Sequence, residues 1–367
     1  MKIIVDENIP YANELFGIFG EVVALPGRDL KHDDVKDARA LVVRSVSKVN
    51  ESLLNNSKVE FVGTCTIGTD HLDKSYLEAH KIRYSSAPGC NANAVVQYIF
   101  SVLARLDRLD SAQRVGIIGC GNVGGRLHKQ LKKLGFSCVC IDPNLDFSVN
   151  EDLAEFSELY DCDIICMHTP LVLGGDFPSV SLVGVEQFKQ FKPGCLLINA
   201  GRGECVDNPQ LKHYLKNNDD LDVVLDVWTA EPNMDGALFE YLKYGSPHIA
   251  GYSFEGKING STMIFRSLAQ HLGLADDEVD QHIHSVEKAC FGEIETLNEN
   301  SVAEYILAAY DVDVDSNSLH SALNNLPASF DLLRKQYRKR REFSHYRIGK
   351  VLSDKDTEIL LNLGFNG

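Results

Sequence analysis

Val115-Gly-Ile-Ile118 runs without a break into Gly119-Cys120-Gly121-Asn122-Val123-Gly124. A β-rich apolar run that enters GxGxxG predicts a strand, a tight turn and a helix, in that order. The helix is written in the residues that follow, because Val123, Leu127, Leu131 and Leu134 share one face at helical spacing. A second apolar run, Cys138–Ile141, ends in Asp142. That is close to the spacing of about 20 residues at which an acid meets a ribose in dinucleotide-binding βαβ units. Each glycine has a job: Gly119 permits the turn, Gly121 lets a pyrophosphate approach the backbone, and Gly124 lets helix and strand pack closely. Free N–H groups at the helix start, around Asn122 and Val123, suit phosphate oxygens. Asp142 suits ribose hydroxyls, and Pro143, Asn144 and Leu145 offer no cation for a 2′-phosphate. The cofactor implied is NAD. The plain alternative is a structural glycine turn in a domain of the same type that binds another nucleotide or none.

Around this motif, short apolar runs alternate with helical stretches, which predicts parallel sheets built from βα repeats. The first set of runs is Ile3–Val5, Val22–Leu25, Leu41–Arg44, Phe61–Val62 and Ile82–Tyr84, with helical candidates at Tyr11–Phe19 and Leu72–His80 between them. A helix from about Asn93 to Arg108 then connects to a second set, Val115–Ile118, Ser137–Ile141, Ile164–Met167, Cys195–Asn199 and Val223–Val227. Gly256–Leu272 reads as a helix returning to the first domain. After about Ser285 the character changes. A β-like run, Ala289–Ile294, precedes helical patterns and the basic run Arg334–Arg341, which predicts a separate module with a solvated or ion-paired basic helix face. At 367 residues the chain suits two or three domains.

The formal charge of -16 sets nucleic acid and anionic membranes apart as partners. No apolar run approaches the roughly 18 residues of a membrane span, and no signal peptide is expected at the start. The ten cysteines show no zinc spacing, so no metal is expected. They read as reduced core residues, which fits the cytoplasm.

Three later segments complete a chemistry. They are Asn199-Ala-Gly-Arg202-Gly-Glu-Cys-Val-Asp207, Leu225-Asp226-Val-Trp-Thr-Ala-Glu231-Pro232 and Ser246-Pro-His248-Ile-Ala-Gly251-Tyr252. The first two start as apolar runs, so Arg202 and Glu231 fall just beyond strand ends, where open α/β sheets bind ligands. Removing a proton and a hydride from one hydroxyl-bearing carbon requires a base, and a neutral His serves near pH 7. A nearby carboxylate orients that His and favours its protonated form. An Arg grips a carboxylate through two parallel hydrogen bonds, which Lys does not. Substrate oxidation should therefore need the neutral imidazole and fail as pH drops. Each residue alone has a plainer reading, as a loop His, a helix start or a turn Arg; their joint order after the glycine loop is what argues for catalysis. Val43-Arg44-Ser45-Val-Ser47-Lys48 and Thr64-Cys-Thr66-Ile-Gly68-Thr69 add cations and hydroxyls at two further strand ends, and a solvated loop is the alternative there.

At these residues the sequence resembles the D-2-hydroxyacid dehydrogenase family, over about Met1–His271. The resemblance implies an α/β fold with two doubly wound Rossmann-like domains and parallel sheets. It implies Arg202 on the substrate, Glu231 supporting the base and His248 as acid/base. It further implies that Thr169 and Asp226 lie near the cofactor and that Ala200, Gly201 and Arg202 touch the nicotinamide end. A closer resemblance within the family is carried by VDENIPYA, VRSVSKVNESLL, FVGTCTIGTDHLD, SSAPGCNANAVVQY, LDVWTAEP and HIAGYSFEGK, and spans nearly the whole chain. It implies a small phosphorylated 2-hydroxy acid as substrate, with Ser45 and Thr66 in contact and Gly251 and Tyr252 at the cofactor–substrate junction. It also implies a small α+β C-terminal dimerisation domain and a homodimer. The expected boundaries are 1–92 with 252–285 for the substrate domain, 93–251 for the NAD domain and 286–367 for the C-terminal domain. Another 2-hydroxy acid such as 3-phosphoglycerate, or a non-catalytic NAD-sensing scaffold, stays open as an alternative.

Overall fold

The computed structural model describes residues 1–367. It divides into two compact units, Met1–Asn91 with Ser253–Glu293, and Ala92–Tyr252 with Ile294–Gly367.

In the first unit, β1 (Lys2–Asp6), β2 (Glu21–Leu25), β3 (Ala40–Val43), β4 (Phe61–Thr64) and β5 (Arg83–Ser85) form one parallel sheet in the order β2-β1-β3-β4-β5. Ile3, Val5, Val42 and Phe61 bury one face against Phe16, Ile264, Phe265 and Leu268, while Ile4, Leu41 and Val62 bury the other against Val35, Leu54 and Leu77. The inner strands β1, β3 and β4, covered on both faces, read as unbroken apolar runs, while the edge strands β2 and β5 are only partly buried. The helix Phe254–His271 supplies the first of these layers; Ser253 caps it by accepting from the Gly256 N–H.

In the second unit, β6 (Arg114–Ile118), β7 (Ser137–Ile141), β8 (Ile164–Met167), β9 (Cys195–Asn199), β10 (Leu221–Leu225) and the short β11 (Tyr244–Gly245) form a parallel sheet in the order β11-β10-β9-β8-β6-β7. The chain turns back between β6 and β8, so the crevice at their carboxyl ends is the topological switch point where such sheets take ligands. In the first unit the corresponding point lies between β1 and β3.

Two expectations are corrected. Ala289–Ile294 is not a strand: its first residues end the helix Asp276–Phe291, whose Cys290 is buried on the same face as Val279, Ile283 and Val286. Gly292, at φ 69°, stops that helix, and the strand β12 (Glu295–Leu297) comes only afterwards, pairing in parallel with β13 (Tyr346–Ile348). The first unit thus extends to Glu293 rather than to 285. Second, the C-terminal module is α+β as expected but shares a core with the nucleotide domain instead of standing apart. Tyr305, Ile306, Tyr310, Phe343, Leu360 and Phe365 pack in one cluster with Val95, Ile99 and Leu103 of the helix Ala92–Arg105. Ser101 accepts from the Val312 N–H at 3.0 Å, and Arg105 donates from Nε to Asp311 at 2.8 Å.

None of the ten cysteines forms a disulfide, and nine of them are buried. No helix is long and apolar enough to cross a membrane.

Candidate active site

At the switch point, Gly119 follows β6 at φ +85°, and its N–H donates to the Ile141 carbonyl at 2.9 Å. A Cβ on Gly124 would sit 2.0 Å from the Gly119 carbonyl oxygen, so this glycine is required by close packing. A Cβ on Gly121 would meet nothing within 4 Å. The loop is therefore tight on its inner side and open at the middle glycine, the side where a pyrophosphate would approach. The helix Gly124–Lys133 starts directly behind it. Asp142 accepts from the Cys120 N–H at 2.9 Å and the Asn144 N–H at 3.1 Å, which fixes its carboxylate beside the loop with lone pairs to spare. Across the crevice, Thr169 donates from Oγ1 to the Ile118 carbonyl at 3.2 Å. Burial pushes the neighbouring His168 imidazole down to about 4, so it stays neutral at physiological pH.

The next loop carries Arg202. Asn199, fully buried at the end of β9, accepts from the Gly201 N–H at 3.1 Å and donates to the Arg202 carbonyl at 3.0 Å. Gly201 packs on Thr169, with backbone atoms 2.9 Å from a Cβ placed there, and a Cβ placed on Gly203 would lie 2.0 Å from the Trp228 carbonyl oxygen. Only glycines allow the Arg202 loop to lie flat between its two neighbours. Ala200 continues the same turn, donating its N–H to the Met167 carbonyl at 3.2 Å.

Glu231 and His248 meet at 2.7 Å between Oε2 and Nδ1. The other oxygen of Glu231 accepts from the Trp228 N–H at 2.8 Å, and the Trp228 indole N–H donates to the Ser246 carbonyl at 2.9 Å. Trp228 is 1% exposed and so acts as a rigid brace between the two loops. His248 is held at φ 55° and Ala230 at φ 63°. Side chains beyond Gly rarely adopt this region, which costs roughly 1–3 kcal/mol and persists only where the surroundings enforce it.

The enforcing group is Asp226. Its carboxylate accepts from Ser246 Oγ at 2.6 Å, the Ile249 N–H at 2.8 Å and the Ala250 N–H at 3.0 Å, and its carbonyl accepts from the His248 N–H at 2.7 Å. Burial pushes the Asp226 carboxyl up, against the opposing pull of His248, Ser246 and the two N–H groups. The expectation for Asp226 was a place near the cofactor; the structure turns both of its oxygens inward onto the His248 loop.

Gly251 and Tyr252 close that loop, where the Tyr252 N–H donates to the Ile249 carbonyl at 2.7 Å. Arg334 of the basic run lies with its guanidinium 5.8 Å from the centre of the Tyr252 ring. Burial works against the Arg334 charge, but Tyr252 and Glu231 outweigh it and raise its pKa. What the sequence did not specify is the hold of Asn199 on the Arg202 loop and the place of Arg334 against Tyr252. The basic run was the one signal for Arg334, and its helix ends at Lys335, so the run is not a single solvated face.

In the first unit, Arg44 follows β3 at the switch point, with Nε 3.3 Å from the fully buried Asp6. Burial and the charge of Arg44 push the Lys257 amine down. Thr66 shares a 2.8 Å hydroxyl contact with Thr64, which reaches His71 Nε2 at 2.9 Å. Ser45 is exposed.

A family model described as D-isomer specific 2-hydroxyacid dehydrogenase, NAD binding domain, matches residues 104–250, and one described as a domain of unknown function matches 289–364. An erythronate-4-phosphate dehydrogenase of Teredinibacter turnerae is 51% identical over 350 residues, covering 95% of this chain and 95% of the relative. One of Saccharophagus degradans is 49% identical over 369 residues, covering 100% and 99%. The chain belongs to the erythronate-4-phosphate dehydrogenase family. Erythronate-4-phosphate dehydrogenases are NAD-dependent enzymes acting on a CH–OH group, and this member carries the NAD-binding domain at β6–β11. The cofactor-bound 3-phosphoglycerate dehydrogenase of Entamoeba histolytica shares the fold, with a TM-score of 0.61 at 23% identity over 74% of this chain and 95% of that one. The open side of Gly121 and the fixed Asp142 carboxylate fit NAD.

The two glycines separate binding from folding. Gly121→Val should unfold at the wild-type temperature and lose NAD affinity by about tenfold or more, roughly 1.4 kcal/mol, whereas Gly124→Val should fail to hold the native fold. Thermal unfolding beside an NAD titration measures both. Wild-type NAD affinity in Gly121→Val would place the cofactor elsewhere.

Proposed function

We propose that this protein oxidises the C2 hydroxyl of 4-phospho-D-erythronate to (R)-3-hydroxy-2-oxo-4-phosphooxybutanoate, a step towards pyridoxal 5′-phosphate. The observation that carries the chemistry is the 2.7 Å His248–Glu231 pair at the carboxyl ends of the NAD-binding sheet. The choice of acid rests on membership of the family.

NAD, when bound, supplies the acceptor for the hydride that leaves C2. The chain supplies the rest. His248 uses Nδ1 on Glu231, which leaves Nε2 to take the hydroxyl proton as the C2–O bond becomes a carbonyl. Glu231 fixes the ring and offsets the charge that forms on it. Arg202 grips the substrate carboxylate and polarises the C2 oxygen. Ser45, Thr66, Arg44 and Tyr252 are assigned to substrate contacts; the cationic pair of Arg44 and Lys257 supports an anionic group in the first unit. Gly119, Gly121, Asn122, Val123, Gly124, Asp142, Thr169, Ala200 and Gly201 are assigned to NAD, and Gly251 to the junction. Ten cysteines outside any disulfide support a reducing compartment, the cytoplasm. Exposed Leu332, Val351 and Leu361 on the C-terminal module support its use in a homodimer, for which light scattering should return twice the 40.7 kDa chain.

Purified protein with NAD and 4-phosphoerythronate should form NADH, followed at 340 nm with a 2-oxo acid acceptor in a parallel assay, while 3-phosphoglycerate and D-lactate should not. Turnover of another acid alone would discard the assigned substrate, and bound NAD without any turnover would favour a scaffold. His248→Gln should lower kcat by about 100-fold or more. Arg202→Lys should lower kcat/KM by a similar factor, since Lys lacks the two-pronged grip. NAD affinity should survive in His248→Gln. Near wild-type turnover in either variant would refute its assigned role.

A further inference from the structure

Arg340 is the next-to-last residue of the basic run, yet it is 1% exposed. Its Nη1 donates to the Ala250 carbonyl at 3.0 Å and its Nη2 to the Ala94 carbonyl at 2.7 Å. The guanidinium carbon lies 3.5 Å from the centre of the Tyr310 ring, and the Tyr310 hydroxyl donates to Asp315 at 2.8 Å. Burying a guanidinium is costly unless its donors and charge are met. Here two carbonyls and an aromatic face meet them, although Nε has no partner. A salt bridge between surface groups would have been cheaper to form, so the position asks for a reason beyond charge neutralisation.

The reason is in the acceptor. Ala250 stands two residues after His248, and its peptide N–H already donates to Asp226 at 3.0 Å. Arg340 takes the carbonyl of the same residue. Ala250 is thus pinned at both ends, from the sheet side by Asp226 and from the C-terminal module by Arg340. His248 sits at φ 55°, a conformation that its surroundings must hold. The second prong of Arg340 ties this pin to the first turn of the helix Ala92–Arg105. A planar fork spans two carbonyls in fixed directions; an ammonium on a flexible stem does not.

We propose that Arg340 is a positioning residue for His248, through which the C-terminal module sets the geometry of the His248–Glu231 pair. This rests on His248 being the base. Arg340 touches neither reacting atoms nor the ring of His248. Its loss acts by letting the 248–250 turn relax, and a small misplacement of a base costs rate more than binding.

The test uses the full-length enzyme with Arg340→Met, Arg340→Lys, Glu231→Gln and the double variant of Arg340→Met with Glu231→Gln. Arg340→Met should lower kcat about ten- to a hundredfold, with the substrate KM and NAD affinity within about threefold of wild type. Arg340→Lys should fall between. In the Glu231→Gln background, Arg340→Met should cost less than about threefold more, because both changes act through the same ring. A folded Arg340→Met with wild-type kcat would overturn the proposal. So would losses that multiply in the double variant, or failure of both single Arg340 variants to fold, since each makes Arg340 a core residue only. If wild type oxidises none of the acids, the functional reading fails on its own, and hydrogen exchange then decides the clamp. Faster exchange in Arg340→Lys confined to 246–252 supports it; unchanged or general exchange overturns it.

Discussion

The site depends on one buried carboxylate. Asp226 ends the strand β10 and takes three hydrogen bonds from the loop that follows β11. With Ser246 donating to Asp226, the Tyr98 hydroxyl, 2.9 Å from Ser246 Oγ, supplies the next proton in the chain. A buried carboxylate that lost these donors would be destabilised by several kcal/mol, so the loop cannot shift without that penalty. This is what lets His248 persist in the left-handed region. It is also what holds His248 at a fixed point above a sheet whose opposite flank carries the glycine loop.

From that anchor the rest of the site follows by short contacts between consecutive loops. Trp228 joins the Glu231 loop to the His248 loop, Gly203 joins the Arg202 loop to Trp228, and Gly201 joins it to Thr169. Thr169 in turn bonds back to β6, at the entrance of the glycine turn. Five loops from one edge of the sheet are laced into one surface. Rigid placement of this kind is what transferring a hydride and a proton from one carbon requires, because the gain comes from pre-set orientation rather than from moving parts.

Much of this was legible before the structure. Strands covered on both faces had to be unbroken apolar runs, and β7, β8 and β9 begin and end where the runs do. The glycine turn after β6 and the places of Arg202 and Glu231 beyond strand ends were legible from the apolar runs before them, and the structure brings His248 to 2.7 Å from Glu231. What escaped was tertiary. The hold of Asp226 on the His248 loop is one such contact, because its sequence position is the same whichever way its side chain turns. Arg340 reaches across 246 positions to Ala94, and no local pattern reports such a contact. Ala289–Ile294 was misread because Cys290 and Phe291 give the same short apolar signal whether they end a helix or start a strand. The C-terminal module read as separate because composition changes at its start, while the apolar faces that bind it to the helix Ala92–Arg105 look like any amphipathic face.

The most direct test of the account is a single-turnover measurement on Asp226→Asn. The amide would point an N–H group at one of the donors that the carboxylate now accepts, leaving the loop held in part. With 4-phosphoerythronate and saturating NAD in stopped flow, NADH formation should slow by about 100-fold or more while NAD affinity and the unfolding temperature of the sheet stay near wild type. A folded Asp226→Asn that forms NADH at the wild-type rate would contradict the claim that this carboxylate positions His248 as the proposed base.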